Sequence, residues 1–245
     1  MTTEVLQPAI PATQRTAAAR RLPGMQVVDG ADWLTIDAAY TAQLSAKAVL
    51  LEERKPEVLA ALPDTGEALS YLLDEVLHLL AQRDDFVVSD VNVYRPDGIS
   101  VAIDRTAPLE TVSQLIQEDI CLLQKKGDAH VLTAALLCFP ASWTLSEKLG
   151  RPLMAIHTPV PDYDEAMGAR VQRLFDGVQV GRPIWRANLL RYADPSLHHP
   201  RREAEPRKKD HVDAKYERSE RQTIWRLGNT DAVVFAIHTS VVRAE

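Results

Sequence analysis

One histidine lies in an irregular, proline-containing segment, residues 137–163. Thr144 and Glu147 have the spacing of a capping box, and Gly150 ends the predicted helix within about two turns. His157 follows on a backbone that nearby prolines hold stiff. A stiffly held imidazole suits a metal ligand, although a lone histidine beside apolar residues is also typical of a hydrogen-bonded core position. The spacing alone leaves both interpretations open.

The remaining histidines offer other candidates for a metal ligand. His130 opens a predicted strand, His78 lies on a predicted helix, and His238 lies in the last predicted strand. The others stand in polar or charged loop sequence: His198, His199 and His211. His238 and His130 are therefore the next candidates if His157 is not a ligand.

The spacing of apolar residues, which predicts the elements that position these histidines, changes along the chain from helical to alternating. Apolar residues at helical spacing predict one helix from Asp37 onward and a second through residues 69–80. Alternating apolar residues on both sides of Asp97-Gly98 predict a β-hairpin. The elements predicted further on are a helix over residues 109–125, a strand over 130–139, a helix over 164–177, and strands over 183–192, 217–227 and 232–242. About six strands, mostly joined as hairpins, with helices before and between them predict an α+β fold.

Composition limits the class of protein. The chain has 245 residues, a net charge of −6 and an apolar share of 46%, which is enough for a buried core. The charge argues against nucleic acid as the main partner, and no apolar run reaches the ~18 residues of a membrane helix. Residues 1–23, rich in Ala, Thr and Pro, are predicted to form a mobile or loosely docked tail. This leaves residues 24–245 as a single domain.

The cysteines bear on the compartment of the protein. Cys121 and Cys138 both lie in apolar sequence and form no C-x-x-C pair, which predicts free buried thiols rather than a disulfide or an iron–sulfur cluster. The N-terminal arginines have no hydrophobic stretch behind them, so a secretory signal is not expected. Together these features predict a cytoplasmic protein.

Several segments resemble one family of haem proteins. They read ADWL from residue 31 with Asp37 and Tyr40, QEDICLL from 117, LCFPASWTLSEKLGRPLMAIHTPVPDY from 137, WRAN from 185, and RSERQT from 218 with Arg226-Leu227. In these segments the chain is similar to the haem-dependent oxidative N-demethylase family, which includes the haem-carrying alpha subunits of dimethylamine monooxygenase. The resemblance runs in the family's order over nearly the whole chain. It implies a haem-binding domain with a PAS-like antiparallel sheet and helical decoration.

The resemblance implies a b-type haem with His157 as its axial ligand. The haem propionates require cations, for which arginine is well suited because its guanidinium group binds carboxylates in a bidentate manner. The candidate cations before the proposed ligand and on the predicted strands are Lys148, Arg151, Arg186, Arg221 and Arg226. His238 stands where family members are expected to carry Arg or Lys, which could place a second imidazole near the iron. Leu189 stands where relatives tend to have Trp, so the substrate need not be the same small amine.

Two acidic residues are candidates for binding that amine. Within the predicted helix 109–125, Asp119 falls in the apolar stripe and Glu118 lies at its edge. A carboxylate on a core face costs several kcal/mol unless it is paired. In one interpretation Asp119 pairs with an arginine or with backbone amides and anchors the helix. In the other, Asp119 or Glu118 lies at the mouth of the haem pocket and holds a protonated amine.

The resemblance predicts a monooxygenase subunit that uses O2 to oxidise an amine, by N-demethylation or N-oxygenation. Nucleotide-binding glycine motifs are absent, so flavin, iron–sulfur cluster and NAD(P)H would reside on a separate reductase. The basic run at residues 201–209 is typical of a solvated loop but could instead dock an acidic redox partner. A haem-based gas or redox sensor, or a structural subunit that has lost haem, remains an alternative function.

Overall fold

A large antiparallel sheet forms the centre of the molecule. The computed structural model describes residues 4–29, 32–157, 164–206, 214–228 and 230–244, and of His157 only the backbone. The sheet has seven strands in the order β1-β8-β9-β10-β6-β7-β2, and every neighbouring pair is antiparallel. Its strands are β1 (Gln26–Val27), β2 (Leu59–Ala61), β6 (Asp119–Lys126), β7 (Ala129–Leu136), β8 (Ile184–Tyr192), β9 (Tyr216–Arg226) and β10 (Val233–Arg243). A separate sheet consists of β3 (Val87–Val88), β4 (Asn92–Tyr94) and β5 (Ser100–Ala102).

Helices cover both faces of the large sheet. They are α1 (Ala12–Ala18), α2 (Tyr40–Val58), α3 (Gly66–Ala81), α4 (Pro108–Ser113), α5 (Leu153–His157) and α6 (Glu165–Gly177). One apolar core joins a sheet face to α2, α3, α4 and the small sheet, and a second core joins the other face to α5 and α6. Because the sheet is covered on both faces, β6 and β10 contain continuous apolar runs, at residues 120–123 and 233–237, whereas β9 is mostly polar. These elements confirm the α+β fold class.

The helix predicted over residues 109–125 is wrong beyond its first turns. Helix α4 ends at Ser113, and Asp119 begins strand β6. The apolar residues that suggested one face of a helix instead alternate between the two cores. Ile120 and Leu122 belong to one core and Cys121 to the other. A strand buried on both sides cannot be distinguished from a buried helix by apolar periodicity alone.

The other predicted elements agree more closely with the structure. The hairpin at Asp97-Gly98 is confirmed, with Gly98 at φ +80°, but its strands belong to the small sheet. The strands predicted over 183–192, 217–227 and 232–242 correspond to β8, β9 and β10. The helix predicted at Thr144 is only a 3-10 turn over Leu145–Glu147 without a side-chain cap, because the Thr144 hydroxyl donates to Arg201 O instead, at 3.0 Å.

The N-terminal residues are packed more firmly than their composition suggests. Strand β6 pairs with β10 only as far as Ile237, so the last residues of β10 have no strand partner on that side. Gln7 takes this place: its backbone N donates to Val241 O at 2.9 Å, and its side-chain oxygen accepts from Val241 N at 2.8 Å. Ile10 and Ala17 are buried as well. Residues 4–18 therefore dock through specific hydrogen bonds, in contrast to the loosely docked tail predicted for residues 1–23.

None of the helices in the described ranges combines the length and the apolar character that crossing a bilayer would require.

Candidate functional site

A cavity of about 360 Å³ lies between the second face of the large sheet and helices α5 and α6. This volume is within the range of roughly 300–1,000 Å³ that is usual for ligand pockets. Its sheet side is formed mainly by apolar residues of β6, β9 and β10, and its helical side by apolar residues of α5 and α6. The principal apolar contributors are Leu123, Ile224, Phe235, Ile237, Ile156, Met167, Val171, Leu174 and Phe175. Such a cavity suits a large, mostly apolar ligand with a few polar attachment points.

The cavity has a polar wall made by β8 and β9. Arg186 pairs across the strands with Gln222, and Asn188 pairs with Glu220, so these four side chains share one face of the sheet. Arg186, Glu220 and Gln222 all line the cavity. Glu220 Oε2 accepts hydrogen bonds from Asn188 Nδ2 at 2.9 Å and from Gln222 Nε2 at 3.1 Å. Arg218 lies 3.7 Å from the other carboxylate oxygen, Oε1. These contacts hold the Glu220 carboxylate in a fixed position at the cavity wall.

Arg186 is a partly buried cation of this wall, and the Glu220 carboxylate is near it. Within the described ranges its guanidinium group forms no hydrogen bond and no ion pair. Burial lowers the pKa of Arg186, and the nearby Glu220 carboxylate opposes this shift only in part. A partly buried arginine without a partner costs free energy unless a ligand supplies an anion. The site is therefore suited to an anionic group on its ligand.

Helix α5 brings the predicted metal ligand to the edge of the cavity. Ile156 lines the cavity, and His157 is the next residue and the last of the helix. The side chain of His157 lies outside the described part of the chain, so its role as ligand stays a prediction. Lys148 also lines the cavity, and its Nζ lies 2.5 Å from Glu203 Oε1. Arg151 lies 3.1 Å from the same oxygen but is largely exposed and does not line the cavity.

One comparison with known proteins identifies the family. Residues 24–245 match the family described as haem-dependent oxidative N-demethylase, alpha subunit-like. The chain belongs to this family. The match spans all the strands and helices α2 to α6, and with them the cavity lining except Leu22 and Pro23.

The residues around the cavity fit the haem that the family description names. Haem has a flat apolar macrocycle and two propionate groups, so it requires apolar walls and cations at an edge. The cavity supplies apolar walls from the sheet and from α5 and α6, and Arg186 supplies a cation that makes no hydrogen bond or ion pair with any residue the structure describes. Lys148 lies at the same cavity. The donor set is therefore compatible with a haem of the N-demethylase family.

Two other cations expected to contact the cofactor are used elsewhere in this family member. Arg221 lies on the opposite face of β9, where it donates to Asp32 O at 2.6 Å and stacks over the Trp185 ring at 5.1 Å. Arg226 donates to Val178 O at 2.7 Å and to Phe175 O at 2.9 Å, so it binds the carbonyl groups at the end of α6. Neither side chain lines the cavity. Arg221 points to the opposite face because side chains alternate along β9, and Arg226 is held by the carbonyl groups at the end of α6.

The two acidic residues singled out from the sequence also lie outside the cavity lining. Asp119 Oδ2 accepts from Phe139 N at 2.5 Å, and Oδ1 lies 3.4 Å from Lys47 Nζ. Burial raises the pKa of Asp119, and the Lys47 ammonium group and the Phe139 amide oppose this effect. Glu118 Oε1 accepts from Thr35 N at 2.6 Å. These are the contacts of a structural anchor, with a lysine in place of the arginine considered for Asp119.

The competing histidines have protein partners. His238 lies on the face of β10 opposite the cavity residues Phe235 and Ile237, and its Nε2 is 3.4 Å from Asp37 Oδ2. It therefore places no second imidazole at the cavity. His130 is buried, with its Nδ1 at 2.8 Å from Gln172 Nε2, and burial lowers the pKa of its imidazole.

Three further histidines in the described part of the chain also contact protein groups. His198 Nδ1 lies 2.8 Å from Cys138 O, and His199 Nε2 lies 3.3 Å from Asp194 O. His78 Nε2 contacts the exposed Gln82 side chain at 2.7 Å. His211 and residues 207–209 of the basic run lie outside the described residues.

Glu220 is the cavity residue that sequence reasoning missed. In the sequence, the alternation of Arg218, Glu220 and Gln222 along one strand face is typical of a solvent-facing strand or of structural ion pairs. Strand β9 is instead an inner strand between β8 and β10, and Glu220 is only 6% exposed. A signal was available in the sequence. The strand that carries this polar face is predicted between two other strands, one of them its hairpin partner, so it was a candidate for an inner strand of the sheet.

Proposed function

We propose that the chain is the haem-binding subunit of a monooxygenase that oxidises an amine, with the cavity as the shared site of haem and substrate. Family membership supports haem-dependent oxidative N-demethylation as the type of activity. The observation that carries the proposal is the combination of polar and apolar groups in one cavity. Arg186 and Glu220 line one wall, and helix α5, which ends at His157, forms another.

Each of these groups has a distinct role in the proposal. His157 is the axial ligand of a b-type haem, and Arg186 binds a propionate; Lys148 lies at the same cavity. When bound, the haem supplies the oxygen chemistry, with O2 as co-substrate. The apolar residues of α6 and the sheet exclude water from the site, which strengthens the electrostatic interactions inside it.

Glu220 is the proposed acceptor for the cationic amine. Aliphatic secondary amines are protonated at neutral pH, so the site requires a group that binds a positive charge. In the described part of the structure, Glu220 Oε1 accepts no hydrogen bond, and its nearest cation, Arg218, is 3.7 Å away. This oxygen is available to an N–H donor in the cavity, while Asn188 and Gln222 hold the carboxylate in place. Glu220 thus takes over the role first considered for Asp119 and Glu118.

Electrons for the reaction come, in this proposal, from a separate reductase that carries flavin, an iron–sulfur cluster and NAD(P)H. The family description as an alpha subunit-like protein is compatible with such a division of labour. The chain itself supplies the haem ligand, the substrate carboxylate and the enclosed cavity.

The test uses protein reconstituted with haem. We expect a Soret band in the region of ~400–430 nm, and loss or strong weakening of haem binding in His157→Ala. Titration with secondary and tertiary methylamines should shift this band in the parent protein. Glu220→Gln removes the charge but keeps the shape, so the amine affinity should fall about tenfold or more. Glu217→Gln is the matched control, because Glu217 lies on the same strand, pairs with Arg15 and does not line the cavity.

Three results would contradict parts of the proposal. Unchanged haem binding in His157→Ala would move the axial ligand to another residue. An unchanged amine affinity in Glu220→Gln would remove Glu220 from the substrate site. If no amine shifts the Soret band while O2, CO and NO bind tightly and reversibly, the protein is a haem-based sensor instead.

A further inference from the structure

Helix α5 is too short to be stable without contacts outside itself. It has five residues, and isolated helices of this length do not persist in water. Every helix also leaves its last carbonyl groups without partners inside the helix. A metal ligand requires a fixed backbone, so the contacts that hold α5 determine whether His157 can serve.

The sheet holds the segment that leads into α5. Gly150 N donates to Leu132 O at 2.8 Å, and Leu132 N donates to Arg151 O at 3.1 Å. Val131 and Pro152 form a β-bridge directly before the helix begins. The segment directly before α5 is therefore held beside strand β7 by backbone hydrogen bonds.

Lys148 holds the other end of the helix. Its Nζ donates to Ile156 O at 2.7 Å, and only 4% of the residue is exposed. A cation at the C-terminal end of a helix is favoured by the helix dipole. The same Nζ contacts Glu203 Oε1 at 2.5 Å, and Glu203 N donates to Glu147 Oε2 at 2.9 Å. Two of the three N–H donors of the ammonium group are thus committed to protein acceptors.

We propose that Lys148 is a positioning residue that fixes the end of α5, and through it the backbone of His157. Because His157 is the axial ligand only in the function proposed above, this role of Lys148 toward haem rests on that function. The competing role for Lys148 is direct binding of a haem propionate. The two roles differ in one respect: positioning acts on α5 with or without propionate groups, whereas direct binding requires them.

Hydrogen exchange of the apoprotein measures the positioning role without any cofactor. Lys148→Met removes the bond to Ile156 O, so the Ile156 amide, which donates to Pro152 O at 3.0 Å, should exchange about tenfold faster or more. Lys148→Gln, which keeps an N–H donor but not the charge, should give a smaller increase and replaces Lys148→Met if that variant does not fold. Lys125→Met is the matched control, since Lys125 also pairs with a carboxylate, Asp176 of α6, but lies near the surface.

Reconstitution with haem and with haem dimethyl ester, which lacks free propionates, separates the two roles. We expect Lys148→Met to change the ferric Soret and EPR spectra relative to the parent to the same extent with both cofactors, and added imidazole to restore the parent-like spectra. The proposal is overturned if Ile156 exchange is unchanged in Lys148→Met, or if the spectral effect disappears with the ester. If the parent binds neither cofactor, the proposed function fails, while the exchange rates still decide whether Lys148 holds α5.

Discussion

The effect of Asp119→Asn on the free energy of unfolding tests whether Asp119 is a structural anchor. Its size can be estimated from the contacts of Asp119. Asp119→Asn keeps the size of the side chain and an oxygen that accepts from Phe139 N, so this hydrogen bond need not be lost. The substitution removes the negative charge 3.4 Å from Lys47 Nζ, in a pair of which both members are at most 1% exposed. Breaking a buried ion pair from one side costs about 3–5 kcal/mol, chiefly because the remaining charge is left unpaired.

We expect a value near the lower end of this range. The Lys47 ammonium group keeps backbone acceptors at Ile116 O and Glu118 O, at 3.4 and 2.5 Å. A loss of about 3 kcal/mol in the free energy of unfolding lowers Tm by roughly 6–12 °C for a chain of this size. Because burial raises the pKa of Asp119, the intact pair is not itself strongly stabilising. The double variant Asp119→Asn/Lys47→Met should therefore recover much of the loss.

Thermal and urea unfolding of the apoprotein measure these differences. Asp74→Asn is the control, since the side chains of Asp74 and its partner Arg105 are both more than half exposed, and removing this carboxylate should change the free energy of unfolding by less than about 1 kcal/mol. The reasoning is refuted if Asp119→Asn is as stable as the parent, or if the double variant is less stable than the sum of the single changes. An Asp119→Asn protein that keeps its Tm and its haem but loses the amine-induced Soret shift would return Asp119 to the substrate site.

Two further predictions concern groups on either side of the sheet. Burial would raise the pKa of Asp37, but its contacts with His238 and Gln117 outweigh burial and hold this pKa at about 2, below its ordinary value of 3.8. A lowered carboxyl pKa contributes stability above about pH 4 that is lost as the pH falls toward 2. Acid titration should therefore show a loss of roughly 2 kcal/mol in the free energy of unfolding in this window. If the free energy of unfolding of Asp37→Asn falls with acid in the same way as that of the parent, the prediction is contradicted. Cys121 and Cys138 are free and buried, and burial raises the pKa of each thiol. Thiol reagents should react with both only after denaturation without reductant, and a disulfide-linked peptide would disprove this.

The sequence alone determined three of the helices, the hairpin of the small sheet and three strands of the large sheet. Helical spacing predicted α2, α3 and α6, and alternation with turn residues predicted the hairpin at Asp97-Gly98 and the strands β8 to β10. The helix predictions succeed because helical spacing reflects a single buried face, and the strand predictions succeed because turn residues bound the strands. The family was also recognisable from the sequence, because its motifs lie in order along nearly the whole chain.

Tertiary structure decided which charged residues face the cavity. Asp119 lies in a strand buried on both faces, where the apolar pattern carries no period that distinguishes strand from helix. Arg186 and Arg221 stand on neighbouring strands, yet they face opposite sides of the sheet, and only the register of β8 with β9 determines which one reaches the cavity. Glu220 became a candidate for the same reason. Strand order and register depend on pairing between distant segments, and this pairing is not encoded in the spacing of residues along one strand.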